Sequence, residues 1–328
     1  MKQRQFEALN ASQWQDMETL LDQLEAVRQQ AVPDHPAVRD FPQRYRRICH
    51  QHALAIERGY SLALVDRLNS IILRGRRQLY RFRLPVAGPL RELLLAGFPR
   101  AVREQGAWNL ASAGVFLFSL MLVWALVSWR PEMVYALLDE QSVSTMESMY
   151  DPASSLAEDR DGSDDVTMFG YYIYNNIGIA FRTFAGGLFF GIGALFIMFF
   201  NGGYFGAVAG HLVNVQHHEP FFTFVIAHGA PELTAIVLAG GCGLRLGWSL
   251  IAPGPRTRLA ALKDAANQAM PVMYGVFFLL LAAAFIEAFW SPRDLPAAVK
   301  YSVGGTLWVG VLAYLLLAGR RWGARHAD

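Results

Sequence analysis

The feature that most constrains this chain is a run of 22 residues without a charged side chain, from Ala107 to Ser128. About 20 apolar residues in a helix cross a hydrocarbon core about 30 Å thick. Tryptophans near both ends, Trp108 and Trp124 with Trp129, fit the aromatic belt of a membrane interface. Only 17% of the chain is charged, against about 25% in ordinary soluble domains. The sequence therefore predicts an all-α, polytopic membrane helix bundle.

Later apolar segments bring the predicted bundle, residues 107–319, to about six spans. After the first span they are 176–200, 204–215, 221–244, 269–290 and 297–318. Asn201-Gly202-Gly203 predicts a break, so that 204–215 is a short span, either a thin crossing or a partly re-entrant one. Irregular backbone at that depth is tolerated only where protein buries it or water lines it.

Charge predicts the topology of this bundle. Lys and Arg concentrate in loops that stay in the cytoplasm. The basic segments are the N-terminal region, the 253–268 loop and the tail 320–328, whereas the 130–170 loop is acidic. Six crossings place all three basic segments inside and the acidic loop in the periplasm. We therefore expect a multi-pass protein of the bacterial inner (cytoplasmic) membrane with both termini cytoplasmic.

The regions outside the spans are predicted to be helical. Residues 1–88 form a cytoplasmic region with one amphipathic helix over 1–30, a break at 32–36 and a second, arginine-rich helix over about 38–82. Residues 89–106 are expected to lie in the headgroup plane, the rival interpretation being a helix packed on its neighbours. A short helix is expected at 131–146. No apolar signal-peptide segment opens the chain, so the first span is expected to act as the insertion signal.

A set of polar residues inside or beside the spans is the candidate site, because such groups are costly in lipid and usually face the bundle interior. The set is Asn175, Asn176, Arg182, Asn201, His211, His228 and Glu232. His228 and Glu232 are four residues apart, so they share one helix face, and Pro231 between them favours a kink. Three interpretations stay open: a hydrogen-bonded pair that sets helix register, a divalent metal site with His211 as third ligand, and proton or substrate chemistry.

Other residues were assigned packing or surface roles. Small residues allow helices to approach closely in lipid, and the candidates are Gly187, Gly191, Gly206, Gly210 and Gly229. Glu287 is expected at the interface near Trp290. Arg182 is expected either to reach the interface or to pair with a carboxylate such as Glu232. The two cysteines give no disulfide framework. No catalytic motif, further cofactor or nucleic-acid-binding motif is recognised.

The central block resembles the stage II sporulation protein M family. The matching residues are Asn175-Asn176, Ala180-Phe181, Phe184, Asn201-Gly202, Gly206, His228-Gly229-Ala230-Pro231-Glu232-Leu233, Ala235 and the glycines at 240–243, with Phe98-Pro99-Arg100 before the first span. The resemblance implies an integral membrane protein without established catalysis. Members are thought to scaffold cell-wall-degrading enzymes, and homologues outside spore formers are often encoded beside MoxR-type ATPases.

These observations lead to one main hypothesis and two rivals. The main hypothesis is a membrane scaffold or assembly protein, a homo-oligomer or part of a complex with cell-envelope partners or a MoxR-type ATPase. The first rival is a channel or transporter-like permease that uses the buried Asn, Arg, His and Glu set, as at transport sites on broken helices. The second is an intramembrane metal-dependent hydrolase that uses His228, Glu232 and His211.

Overall fold

A computed structural model describes residues 2–26, 40–81, 87–151 and 162–320. All regular elements in these ranges are helical, which confirms the predicted all-α class. The chain divides into two compact units, Met1–Gly88 and Pro89–Asp328. Each unit has its own hydrophobic core.

The N-terminal unit contains three helices, α1 (Gln3–Ala26), α2 (Phe41–Glu57) and α3 (Leu62–Arg81). The prediction of a single helix over 38–82 is wrong, because a turn with Gly59 at φ +62° separates α2 from α3. That left-handed conformation favours glycine, since it has no Cβ to clash with the backbone. The predicted break at 32–36 lies outside the described residues.

The core of this unit follows the amphipathic pattern of α1. Trp14, Met17 and Leu21 are spaced three and four residues apart and are fully buried together with Leu68 of α3. The indole N–H of Trp14 donates to Oε1 of Gln51 at 2.7 Å. Apolar burial of this kind contributes about 25 cal/mol per Å². The buried indole N–H of Trp14 thus has its hydrogen-bond partner, Gln51, inside this core.

The second unit opens with a juxtamembrane segment: α4 (Ala87–Glu92), a π-helical turn (Leu93–Gly97) and α5 (Phe98–Glu104). We expected the apolar side of this segment to enter lipid, which is wrong for Phe98 and Val102, because both are buried in protein. The Phe98 ring lies 6.0 Å from that of Tyr314. The segment is thus part of the bundle core.

Six long helices form the bundle: α6 (Gly106–Trp129), α8 (Gly162–Gly186), α9 (Ile192–Asn214), α10 (His218–Ile251), α11 (Arg258–Phe289) and α12 (Ala297–Leu317). By length and composition, every one of these except α8 could cross a membrane. With 25 residues, α8 is about 37 Å long. It contacts α10 near Gly187 and α11 near Asn176, so it runs alongside them as the sixth helix. The chain is a multi-pass membrane protein.

Two predicted span boundaries are wrong. Asn201-Gly202-Gly203 does not break the chain but lies within α9, and 204–215 is the second half of that helix rather than a separate short crossing. The true turn is at residues 187–191, where Phe190 and Gly191 have φ of +54° and +84°. A Cβ on Gly206 would lie 3.1 Å from the Leu120 carbonyl carbon, so the α9 glycines serve close packing on α6.

The acidic segment after α6 contains a 3₁₀ helix (Pro131–Ala136) and α7 (Glu140–Tyr150), instead of one helix over 131–146. Asp139 is the N-cap of α7. Its carboxylate accepts hydrogen bonds from the backbone N–H and the hydroxyl of Ser142 at 2.8 and 3.0 Å. These bonds lower the pKa of Asp139. Since α8 begins at Gly162, the expected 40-residue loop is also too long.

The acidic segment is bound to the bundle rather than free. Val134, Leu138 and Val143 are buried in one cluster with residues of α9 and α10. The Tyr150 ring meets that of Phe221 edge-on at 5.2 Å. Burial raises the pKa of Tyr150 above its ordinary value. We call the end of the bundle that carries these contacts the α7 end.

Candidate functional site

Three ionisable side chains converge in the bundle near the α7 end. His228 and Glu232 lie on α10, and Glu287 lies in the last turn of α11. One potential ligand atom from each lies within 4.8 Å of the others. The helix α10 continues through Pro231, so His228 and Glu232 share one face, as their spacing of four predicts. We call these three residues the His–Glu–Glu cluster.

The imidazole of His228 is held from two sides. Its Nδ1 atom lies 3.0 Å from Oγ of Ser291, and its ring meets Phe224 edge-on at 5.2 Å. The Ser291 carbonyl accepts a hydrogen bond of 3.0 Å from Nζ of Lys300, at the start of α12. All three polar residues are buried: His228 is 5% exposed, Ser291 0% and Lys300 9%. The sequence analysis missed Ser291 and Lys300, because neither lies in the matching motif.

Two asparagines connect the cluster to α8. Nδ2 of Asn175 donates to Oδ1 of Asn176 at 2.9 Å, and Nδ2 of Asn176 donates to Oε2 of Glu287 over a long 3.4 Å. Asn176 is buried at 3% exposure. Glu287, which was expected at the interface near Trp290, thus contacts a buried residue of α8. Its carboxylate, on α11, lies close to Asn176 of α8 and to His228 and Glu232 of α10.

The charge of the cluster is not balanced by neighbouring cations. Among the described residues, neither Glu232 nor Glu287 makes an ion pair with a Lys or Arg. The Oε2 atom of Glu232 is buried and has no hydrogen-bond partner among the described residues. Two carboxylates this close together repel each other when both are ionised, so either a cation lies between them or they share a proton. The arrangement can therefore bind a cation or hold a proton.

The other predicted site residues lie elsewhere. His211 on α9 has its Nε2 2.7 Å from Oε1 of Glu147 on α7, so the interpretation of His211 as third ligand is wrong, and Glu287 occupies that place. Arg182 is exposed, and its Nε donates to the carbonyl of Gly178 at 3.0 Å. Asn201 donates to the Ile197 carbonyl one turn earlier in its own helix. Within the described residues, Arg182 and Asn201 bond to their own helices and lie outside the His–Glu–Glu cluster.

Of the five glycines predicted to allow close helix packing, two lie against α6, two lie in a turn, and one has neither position. Gly206 and Gly210 face α6, where a Cβ on Gly210 would lie 3.0 Å from Cδ1 of Trp124. Gly187 and Gly191 are not on a helix but in the turn, where Gly187 approaches Gly243 so closely that a Cβ would lie 2.7 Å from its Cα. Gly229 has no close neighbour on another helix, which contradicts its packing role.

Comparison with known proteins supports the resemblance found at the central block. Residues 112–292 match the family stage II sporulation protein M. Residues 4–81 match a domain of unknown function (DUF8413). No curated protein and no solved structure matches the chain. The first match contains the His–Glu–Glu cluster and covers more than half of the 328 residues, so the chain belongs to the stage II sporulation protein M family of membrane proteins.

Proposed function

We propose that this chain is a membrane scaffold, which holds partner proteins at a fixed position on a rigid helix bundle of the bacterial inner membrane. The observation that carries the proposal is the buried polar network at the α7 end. It links α8, α10, α11 and α12 through Asn176, Glu287, His228 and Ser291 with Lys300. Hydrogen bonds between polar side chains on neighbouring helices fix the register of the helices. A different register would leave these polar groups unpaired in lipid, which is costly.

A docking surface adjoins this network. The acidic segment leaves several large apolar side chains exposed: Met133, Tyr135, Leu137 and Met149. A shallow groove over α7 is lined by Asp139, Gln141, Ser142, Thr145, Met146 and Met149. Exposed apolar side chains beside acidic ones are typical of protein interaction sites. Partners in the cell envelope, or a MoxR-type ATPase on the other side of the membrane, are the candidates that the family resemblance suggests.

The rival permease receives less support. That interpretation rests on polar groups around broken helices, but α9 is continuous through 201–203, where the break was predicted. Arg182 and Asn201 also lie outside the cluster. The permease and hydrolase interpretations are kept as outcomes of the test.

Site-specific photocrosslinking in living cells tests the scaffold proposal. A photoreactive residue replaces Met149, which is 54% exposed on α7, and the matched control replaces Val143, which is 3% exposed on the same helix. We expect discrete protein adducts from position 149, including either a partner or a second copy of the chain, and none from position 143.

Two results would contradict the scaffold. The first is a chain that gives no protein adduct from position 149 and stays monomeric in detergent by light scattering. The second is ion or solute flux in proteoliposomes that is lost in His228→Ala but not in His211→Ala, which would favour the permease. Both variants change a buried histidine, so the comparison controls for general damage to the bundle.

A further inference from the structure

We propose that His228, Glu232 and Glu287 bind a divalent transition-metal ion of the Zn²⁺ type, which ties α10 to α11. The three side chains offer one nitrogen and two carboxylate oxygens. Imidazole with carboxylate is a ligand set that suits Zn²⁺ and its neighbours in the first transition row better than Mg²⁺ or Ca²⁺, which prefer oxygen alone. This inference goes beyond the scaffold function and does not depend on it.

The spacing of the ligand atoms fits this ion. Zinc lies about 2.1 Å from a nitrogen or oxygen ligand, so two ligands of one ion can be at most about 4.2 Å apart. The atoms in the cluster lie within 4.8 Å of one another. Ligand atoms at tetrahedral angles around zinc lie about 3.4 Å apart, so side-chain movements on the order of 1 Å would close the set around an ion. Three protein ligands leave at least one further coordination position for water or for a group from a partner.

The surroundings of each ligand match those of a metal site. A ligating histidine usually donates its other ring N–H to a nearby acceptor, which fixes the tautomer and the ring plane. Here Nδ1 of His228 lies 3.0 Å from Oγ of Ser291, which leaves Nε2 as the ligand. Asn176 donates to the Glu287 carboxylate in the same supporting role. Both ligands therefore have the neighbours that would orient them.

The independent observation is the missing partner of Glu232. Its Oε2 atom is buried, yet no described donor reaches it. Buried polar atoms in folded proteins are nearly always satisfied, so an orphaned carboxylate oxygen beside a second carboxylate and an imidazole indicates a ligand. Among the described residues, Lys300 makes no ion pair with Glu232 or Glu287, and its ammonium group donates instead to the Ser291 carbonyl.

Metal content of the full-length protein in detergent tests this proposal. The protein is loaded with Zn²⁺, freed of excess metal and analysed for bound zinc by mass spectrometry. His217→Ala/His218→Ala is included in every variant, since these two adjacent histidines could bind zinc by themselves. We expect one tightly bound zinc per chain. Glu287→Gln and His228→Ala should weaken zinc binding at least tenfold in competition with a chromophoric chelator. His211→Ala should leave it unchanged.

Two outcomes would overturn the proposal. One is a folded, helical protein that retains no zinc, manganese or cobalt, which would leave a shared proton between the two carboxylates. The other is stoichiometric zinc that persists in Glu287→Gln and His228→Ala. Should both variants fail to fold, the unmodified cluster is tested with Co²⁺. Visible absorption of bound Co²⁺ that zinc displaces is then expected, and its absence counts against the site.

Discussion

Two buried polar networks of this protein, one in each unit, differ in whether their members satisfy one another. In the N-terminal unit, Gln51 accepts from the Trp14 indole and donates to Asn10 at 2.8 Å. In the bundle, the His–Glu–Glu cluster brings two carboxylates together, and no described residue forms an ion pair with either one or bonds to Oε2 of Glu232. The first network is complete by itself, whereas the second needs something from outside the chain.

The carboxylates of the His–Glu–Glu cluster also differ from those of the N-terminal unit that form ion pairs. Arg67 makes two hydrogen bonds of 2.9 Å to Glu18, and Arg74 contacts both Asp22 and Glu25. These pairs are partly exposed to water, where each contributes little. Glu232 and Glu287 have no such partner among the described residues. A buried polar network whose members satisfy one another indicates a structural role, and one that leaves charge unbalanced indicates a ligand.

The largest effect is expected from the complete network. Trp14→Ala should lower the free energy of unfolding of the N-terminal unit by about 3–5 kcal/mol, because it removes a fully buried ring and leaves Gln51 without its donor. Protease sensitivity of residues 2–81 in full-length protein, followed against urea, measures this loss. Trp14→Phe keeps most of the packing and should cost about 1–3 kcal/mol. Equal losses in both variants would show that the ring's bulk is irrelevant.

The next effect depends on metal. In saturating zinc, Glu287→Gln should lower the thermal stability of the bundle, and a tenfold weaker Kd corresponds to a loss of about 1.4 kcal/mol. In excess chelator the same variant should match the unmodified protein closely, since the stabilising ion is gone from both. Melting followed by circular dichroism in the two buffers gives the difference. A loss of the same size in chelator would mean that the carboxylate is purely structural.

A smaller effect is expected from an ion pair of the N-terminal unit. Glu18→Gln removes the partner of Arg67, whose side chain is 41% exposed, and should cost about 0.2–1 kcal/mol. The loss should be equal in zinc and in chelator, and it should shrink at high salt. Urea titration under the three conditions measures it. A zinc-dependent loss here would show that the metal effect is not specific to the His–Glu–Glu cluster.

The smallest effect concerns a carboxylate outside the spans that has its donors. The pKa of Asp139 is lowered by Ser142 in the folded state, so its stabilisation is present above the unfolded pKa and is lost as pH falls through the folded value. The exchange of α7 amides, after correction for their intrinsic exchange rate at each pH, should therefore rise at acidic pH. Asp139→Asn keeps a capping oxygen without a titrating group, and its exchange should not show this acid-dependent rise. A parallel rise in both variants would assign the acid sensitivity to another group.

Much of the fold was predictable because its signals are local. The charge-free run at 107–128 and the helical spacing of apolar residues in α1 depend only on neighbouring residues, and both predictions are confirmed. The turns were harder. Asn201-Gly202-Gly203 is a typical break signal, but packing of these small residues on α6 keeps the helix continuous. Conversely, the turn between α8 and α9 forms where Phe190 and Gly191 have positive φ angles. These two residues lie in an apolar run that gives no turn signal in the sequence.

The candidate site was predictable only as far as one helix extends. His228 and Glu232 share a face because they are four apart, which the sequence states directly. Their partner Glu287 is 55 residues beyond Glu232, and only the crossing of α10 and α11 brings it near. His211 was expected in its place, but the contact of α9 with α7 pairs it with Glu147 instead. Tertiary packing, not residue type, selected the third member.

A side-chain-resolved crystal structure of protein purified without chelator, with data at the zinc absorption edge, tests the central claim most directly. The account predicts one anomalous peak between Nε2 of His228 and the carboxylates of Glu232 and Glu287, with Asn176 and Ser291 beside it. His228, Glu232 and Glu287 pointing separately into lipid or open solvent, with no peak among them, would contradict it.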